Sequence, residues 1–262
     1  MFEELLEDIA QKNGLREVNT SLKLTTGLGA ILLCLLSSSY FPPLFIAVVL
    51  TGTILFLARV DARTYAELFI VPVWFAIMSV AGVILISGGQ DIFWKWDILP
   101  SFSLSVTRES INQGIFVFCR VLGGMSALCF ISLTTPMTTI FTVLRQCRIP
   151  EIIIELMMII YRTIFILMDQ VVQIYTAQVM RLGYSTAKES IHSCATLCGA
   201  AFIASWNAGE DLIQAMDARC YSGKFAVLGE NRPVERRPLL ALAAFLSLST
   251  AIVIFSGTST II

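Results

Sequence analysis

The chain has 262 residues, of which 56% are hydrophobic and 14% charged, with a mean hydropathy of +0.79 and a formal net charge of -1. Soluble domains carry roughly 45–50% apolar and about 25% charged residues, so this composition belongs to an integral membrane protein. The charge balance argues against a nucleic-acid binder, which favours a strongly basic surface. The seven cysteines form no CxxC pair and read as free thiols, and the single histidine, His192, argues against a dedicated His/Cys metal site.

The start, MFEELLEDIAQKNG, is acidic and amphipathic and is not expected to act as a cleaved signal. A membrane helix needs about 20 mostly apolar residues. Leu22–Tyr40 meets that; Pro42 and Pro43 then break the chain, and Leu44–Ala58 follows as a short second span. Leu68–Ser87, with Pro72 near its start, is a third, Gly114–Leu133 with Arg120 inside it a fourth, and Leu239–Phe255 the last. The segment Gly88–Gln113 is the longest external loop, where Trp94 and Trp96 flank Lys95 as an interfacial anchor or a contact for another membrane subunit.

With the N-terminus inside, 15 of the 18 Lys and Arg fall on the inner side, so a cytoplasmic N-terminus is expected. The parts are then 1–133 with about four spans, a cytoplasmic helical block 134–238 in which charges recur, and a final helix in 239–262. The expected fold is an all-α integral membrane protein with about five transmembrane helices and long cytoplasmic helices.

The five apolar spans hold no Asp or Glu, whereas cation and proton pathways usually need acidic groups in the bilayer. No pair of Gly/Pro-interrupted helices marks an inverted-repeat substrate site. SGKF at Ser222–Phe225 lacks the upstream glycine of a phosphate loop and ends in Phe where Ser or Thr would meet magnesium. No Ser-His-Asp or HExxH arrangement occurs, so no catalytic role is expected.

In the cytoplasmic block, TPMTTIFTVLRQCRIP places Met137, Ile140, Phe141 and Leu144 at helical spacing, with Pro136 at the start and Pro150 at the end. This amphipathic helix either lies along the inner membrane face or packs in a hairpin. A long helix follows from Pro150 or Glu151 to Leu182, roughly 48 Å at 1.5 Å per residue. On a helical wheel Glu151, Glu155, Arg162, Asp169, Gln173 and Thr176 form one polar stripe, which is either solvated or a seam that positions the helix; Glu155, Arg162 and Asp169 are its candidate members. After the break LGYSTA, a region rich in small residues runs to Arg219 and invites close helix packing. Cys194 and Cys198 lie one turn apart on it, without the further ligands a metal site needs.

Two similar stretches, QVMRLGYS (Gln178–Ser185) and AMDARCYSG (Ala215–Gly223), each place an arginine at a helix C-terminus. A cation there meets the helix dipole favourably, which is reason enough for an arginine. Arginine also offers a rigid fork for carboxylates, which suits a protein interface. Arg181 and Arg219 are 38 residues apart, so a helical chain lets them separate by up to roughly 57 Å.

Together with RIPEIIIELMMIIYRTIFILMDQ (Arg148–Gln170), these segments resemble the transmembrane T component of energy-coupling-factor (ECF) transporters, of the CbiQ type found in cobalt and nickel uptake, and the likeness extends more loosely over nearly the whole chain. The family's mark is an Ala-Arg-Gly motif on each of two cytoplasmic coupling helices. The resemblance implies that two ATP-binding cassette subunits each receive one Arg-bearing helix end. Their ATP-driven closure would then move a separate substrate-binding membrane subunit of CbiM type, with or without a small accessory membrane subunit. Carried over by residue, Arg181 and Arg219 match the motif arginines and Ala218 its alanine; Met180 and Leu182 stand where Ala and Gly are usual, Cys220 replaces the final Gly, and Asp217 is the acidic residue that commonly precedes the second motif. The chain itself is expected to hold no cofactor, ATP being bound by the partners, and to sit in the cell membrane. A general T component for vitamin uptake is the alternative, and a stand-alone secondary transporter a more distant one.

Overall fold

A computed structural model describes residues 9–10, 13–86, 92–99, 102–221 and 236–257. Its helices are α1 (Thr20–Leu36), α2 (Phe41–Gly52, continued by a π turn over Thr53–Leu57), α3 (Ala62–Ile86), α4 (Arg108–Thr134), α5 (Met137–Gln146), α6 (Glu151–Met180), α7 (Ala187–Ala218) and α8 (Arg236–Gly257). Each expected apolar span falls on a helix. α3, α4 and α8 are long and apolar enough to cross a membrane, while Thr20–Leu36 and Phe41–Leu57 are shorter apolar helices. The 17 residues of α1 still reach about 26 Å, close to the ~30 Å hydrocarbon thickness.

The helices also extend past the apolar windows. α2 begins at Phe41 because Pro42 and Pro43 occupy its first turn, where a missing N–H costs nothing. α3 takes in Glu67, which pairs with Arg63 at its exposed start. α4 begins at Arg108, capped by Thr107 and Ser110. Much of the expected external loop is an antiparallel hairpin, β1 (Ile92–Leu99) with β2 (Phe102–Thr107), in which Lys95 pairs with Ser105 and Trp96 with Leu104. Its second strand, FSLSVT, shows the apolar–polar alternation of a half-exposed strand. The anchoring role of Trp94 and Trp96 falls on side chains outside the described residues.

The chain forms two compact units, 1–140 with 230–262, and 141–229. In the first, α4 packs against α1, α2 and α3, and α8 against α1 and α2. Lipid tails are as apolar as Leu, so close packing rather than exclusion of water must hold these helices together, and small residues permit it. Ala30, Cys34 and Ala127 are buried at the α1–α4 contact, and Ile46, Leu50, Ile54, Phe130 and Leu133 are among the residues that extend the core. A Cβ at Gly123 would lie 2.8 Å from both Cys34 Sγ and the Pro43 carbonyl oxygen, so glycine is required for this approach. Polar groups close the helix ends: Lys23 Nζ donates to Thr134 O at 3.0 Å and Asn13 Nδ2 to Leu133 O at 3.1 Å, meeting the negative end of α4. Arg120, the cation within the fourth span, donates to Ser37 O at 2.6 Å and lies 4.4 Å over the Phe116 ring.

The second unit holds the end of α5, then α6 and α7. Phe141 packs edge-on against Tyr161 of α6, with centroids 5.9 Å apart. α6 begins immediately after Pro150 and runs 30 residues, about 45 Å, so it stops two residues short of the sequence expectation. Only Ile154 and Glu155 are buried on α6, and none of the residues of α7. The small-residue face of α7 is therefore open, with nothing within 4 Å of a Cβ added at Gly199 or Gly209.

Candidate functional site

α6 and α7 end in the same way. After Met180, Arg181 takes the C-cap position (φ -91°, ψ 13°) and Leu182 turns left-handed at φ 59°. Gly183 N donates to Gln178 O at 2.9 Å and Leu182 N to Val179 O at 3.0 Å. After Ala218, Arg219 is the C-cap (φ -96°, ψ 11°) and Cys220 turns left-handed at φ 52°. Tyr221 N donates to Met216 O at 3.1 Å and Cys220 N to Asp217 O at 3.0 Å. Both are Schellman closures, with the same pair of backbone bonds and a left-handed residue directly after the cap.

That geometry explains the two departures from the glycine pattern. A left-handed residue is where glycine is cheapest, because a Cβ crowds the following carbonyl by about 1–2 kcal/mol. Leu182 and Cys220 adopt the conformation all the same. Both arginines, Asp217, Ala218 and Cys220 are exposed, as are Met180 at 80% and Leu182 at 73%. Each end therefore presents a guanidinium beside an open surface.

A tyrosine ties each end to α6. Tyr184 donates its hydroxyl to Gln178 Oε1 at 2.9 Å and packs on Tyr175 with centroids 5.1 Å apart. Gln178 Nε2 reaches Ser193 O on α7 at 3.1 Å, and Ser193 Oγ donates to Gly183 O at 2.8 Å. At the other end Tyr221 donates to Glu155 Oε2 at 2.7 Å. This bond to a carboxylate, with desolvation second, pushes the Tyr221 phenol above its ordinary pKa.

Because α6 and α7 meet at the turn between them and again at Glu155 and Tyr221, they run antiparallel. Arg219 thus lies near the start of α6 and Arg181 at its end. The 26 residues from Glu155 to Arg181 set the spacing of the two ends at roughly 40 Å.

The polar stripe divides. Glu155 is 7% exposed and bonded to Tyr221, Glu151 pairs with Arg145 at 3.1 Å in the open, and Arg162 and Asp169 are exposed. Arg162 and Asp169 thus share the face of Glu155 but lie farther along α6, where that face is exposed. Thr186 caps the start of α7, its hydroxyl accepting from Glu189 N, while Ser185 donates to the Glu189 carboxylate. Hydrogen bonds to the carboxylate, from Ser185 first and then Thr186, hold the Glu189 carboxyl below its ordinary pKa. The pattern Thr186-x-x-Glu189 is a capping-box signature already visible in the sequence, and so is the tyrosine that follows each arginine, in RLGY and RCY. Among the described residues, no group of three or more His, Cys, Asp or Glu stands ready for a metal.

Residues 11–228 match the family model of the CbiQ cobalt transport protein. The chain is 38% identical over 93% of its length to a putative fused cobalt transport protein CbiMQ of Methanocorpusculum labreanum, and spans 40% of that relative's length. It is 32% identical to an uncharacterised protein of Methanocaldococcus jannaschii, over 94% of this chain and 91% of the relative. It is 25% identical to the energy-coupling factor transporter transmembrane protein EcfT of Limosilactobacillus fermentum, over 66% of this chain and 67% of the relative. With the family model covering most of the helices just described, the two arginine-capped ends included, the chain belongs to the CbiQ family of cobalt transport proteins.

Proposed function

We propose that this chain is the coupling subunit of an ATP-driven importer, passing the motion of two ATP-binding cassette subunits to a separate substrate-binding membrane subunit. The observation that carries the reading is the pair of matching, exposed, arginine-capped ends about 40 Å apart, as two copies of one motor would need. Each guanidinium offers a fork to a carboxylate in an ATPase groove. ATP is bound by the ATPases, and this chain performs no chemistry of its own. The Lys and Arg bias supports a cytoplasmic N-terminus, with α6 and α7 on the ATPase side.

The family description favours cobalt, or the similar nickel ion, as cargo. A relative described as a fused CbiMQ protein supports a CbiM-type partner as the substrate-binding subunit. The EcfT relative favours a second reading, a general coupling subunit shared by several substrate-binding subunits.

The test is copurification of the tagged chain with its ATPases, followed by cobalt and nickel uptake in liposomes. Arg181→Ala or Arg219→Ala should each weaken ATPase attachment and uptake, and the double variant should abolish both while the chain's own Tm holds. A double variant that retains its ATPases and transports normally would refute the proposal. So would uptake by the purified chain alone.

A further inference from the structure

We propose that Tyr184 and Tyr221 are positioning residues that latch both arginine-capped ends onto α6, so that one helix sets their separation. The inference rests on the coupling reading and adds to it the part that transmits force. A pull on an exposed helix end does useful work only if that end cannot swing independently of what it drives. α7 has no buried residue to hold it along its length, and α6 buries only Ile154 and Glu155. The connection between grip and lever therefore falls to the few polar bonds at the ends.

Those bonds share one plan. The tyrosine that follows each arginine turns back and donates its hydroxyl to an acceptor on α6: Tyr184 to Gln178 at 2.9 Å, Tyr221 to Glu155 at 2.7 Å. At the first end the acceptor is on the helix that has just finished, and Gln178 extends the tie to α7 through Ser193. At the second end the bond crosses 66 residues of sequence and fastens the close of α7 to the opening of α6. The acceptor there is the only charged side chain buried on either long helix. A carboxylate acceptor gives a stronger bond than a neutral one, and burial keeps water from competing for it. With both ends latched, the spacing of the arginines is set by the length of α6 from Glu155 to the cap at Arg181.

The experiment uses the full chain with its ATPases and substrate-binding subunit in liposomes. Tyr221→Phe removes only the hydroxyl, and Glu155→Gln keeps an oxygen that can accept it. Spin labels at Ile152→Cys and Gln214→Cys, in a chain otherwise free of cysteine, read the distance between the start of α6 and the end of α7. In Tyr221→Phe the distance distribution should broaden, and metal taken up per ATP hydrolysed should fall by about threefold to tenfold, the range one hydrogen bond controls. ATPase copurification and Tm should stay at wild-type values, and Glu155→Gln should keep both the narrow distribution and the coupling ratio. A merely structural tyrosine would move Tm and copurification together with uptake, which would overturn the proposal. An unchanged distribution, or a broadened one with unchanged uptake per ATP, would overturn it too. If the wild-type chain captured no ATPase, the coupling reading would fail by itself, while the distance measurement would still report on the latch.

Discussion

The two compact units reach order by opposite means. In residues 1–140 with 230–262, helices approach closely enough that Gly123 has no room for a methyl group, and buried Ala30, Cys34 and Ala127 line the contact. In residues 141–229, α6 and α7 extend for 30 and 32 residues with two buried side chains between them, and Gly199 faces open space. The first unit is held by packing along helix lengths, the second by hydrogen bonds concentrated at helix ends. A frame needs the first arrangement. The second arrangement suits the proposed lever, which would present surface to other subunits.

The sharpest way to break this contrast is a matched pair of glycine substitutions. Gly123→Val should destabilise the protein by about 3 kcal/mol, because its Cβ meets backbone as well as a side chain. Gly199→Ala should instead raise stability by about 0.5–1 kcal/mol through helix propensity alone. Thermal unfolding in detergent compares the two, and equal effects would dissolve the distinction between the units. Next in size is Lys23→Met, which takes the ammonium away from the Thr134 carbonyl at the buried end of α4. A loss of about 2 kcal/mol is expected, seen as a lower unfolding midpoint.

Smaller changes sharpen the picture at the lever's ends. Leu182→Gly and Cys220→Gly relieve left-handed strain of about 1–2 kcal/mol and give back part of it as backbone entropy, so each should stabilise by roughly 0.5–1 kcal/mol. Neither should weaken ATPase copurification if the arginine is the contact. The smallest effect is that of pH on Glu189. Its carboxyl titrates below the ordinary value of 4.5 because Ser185 and Thr186 donate to it. Its contribution is therefore present above pH 4.5 and is lost as pH falls through the depressed folded value. Thermal unfolding of wild type against Glu189→Gln should show the wild type slightly more stable at neutral pH, with the gap closing as pH falls through the depressed folded value.

The helical frame was legible because its signals are local and repeated. Runs of apolar residues mark α1 to α4 and α8, and Pro136 and Pro150 mark where α5 and α6 begin. Arg181 and Arg219 were legible as the ends of helices, and the structure places both at the C-cap. The hairpin escaped because FSLSVT follows a Trp-rich stretch that reads equally well as a membrane-interface loop. The shared Schellman geometry escaped because its usual marker, glycine, is absent at 182 and 220. The tie from Tyr221 to Glu155 spans 66 residues, and no helical periodicity reports a contact of that range.

The left-handed turns at Leu182 and Cys220 also bear on how such a chain can drift in evolution. At an exposed site the penalty for any unbranched side chain is an energy, small enough for the rest of a fold to absorb. A β-branched residue is different, since Val, Ile or Thr at φ near +55° brings a second substituent against the backbone. Lineages that lose the glycine should therefore wander among Asn, Leu, Cys and their like and stop short of Val, Ile and Thr, leaving the direction of the arginine unchanged while the letters beside it vary.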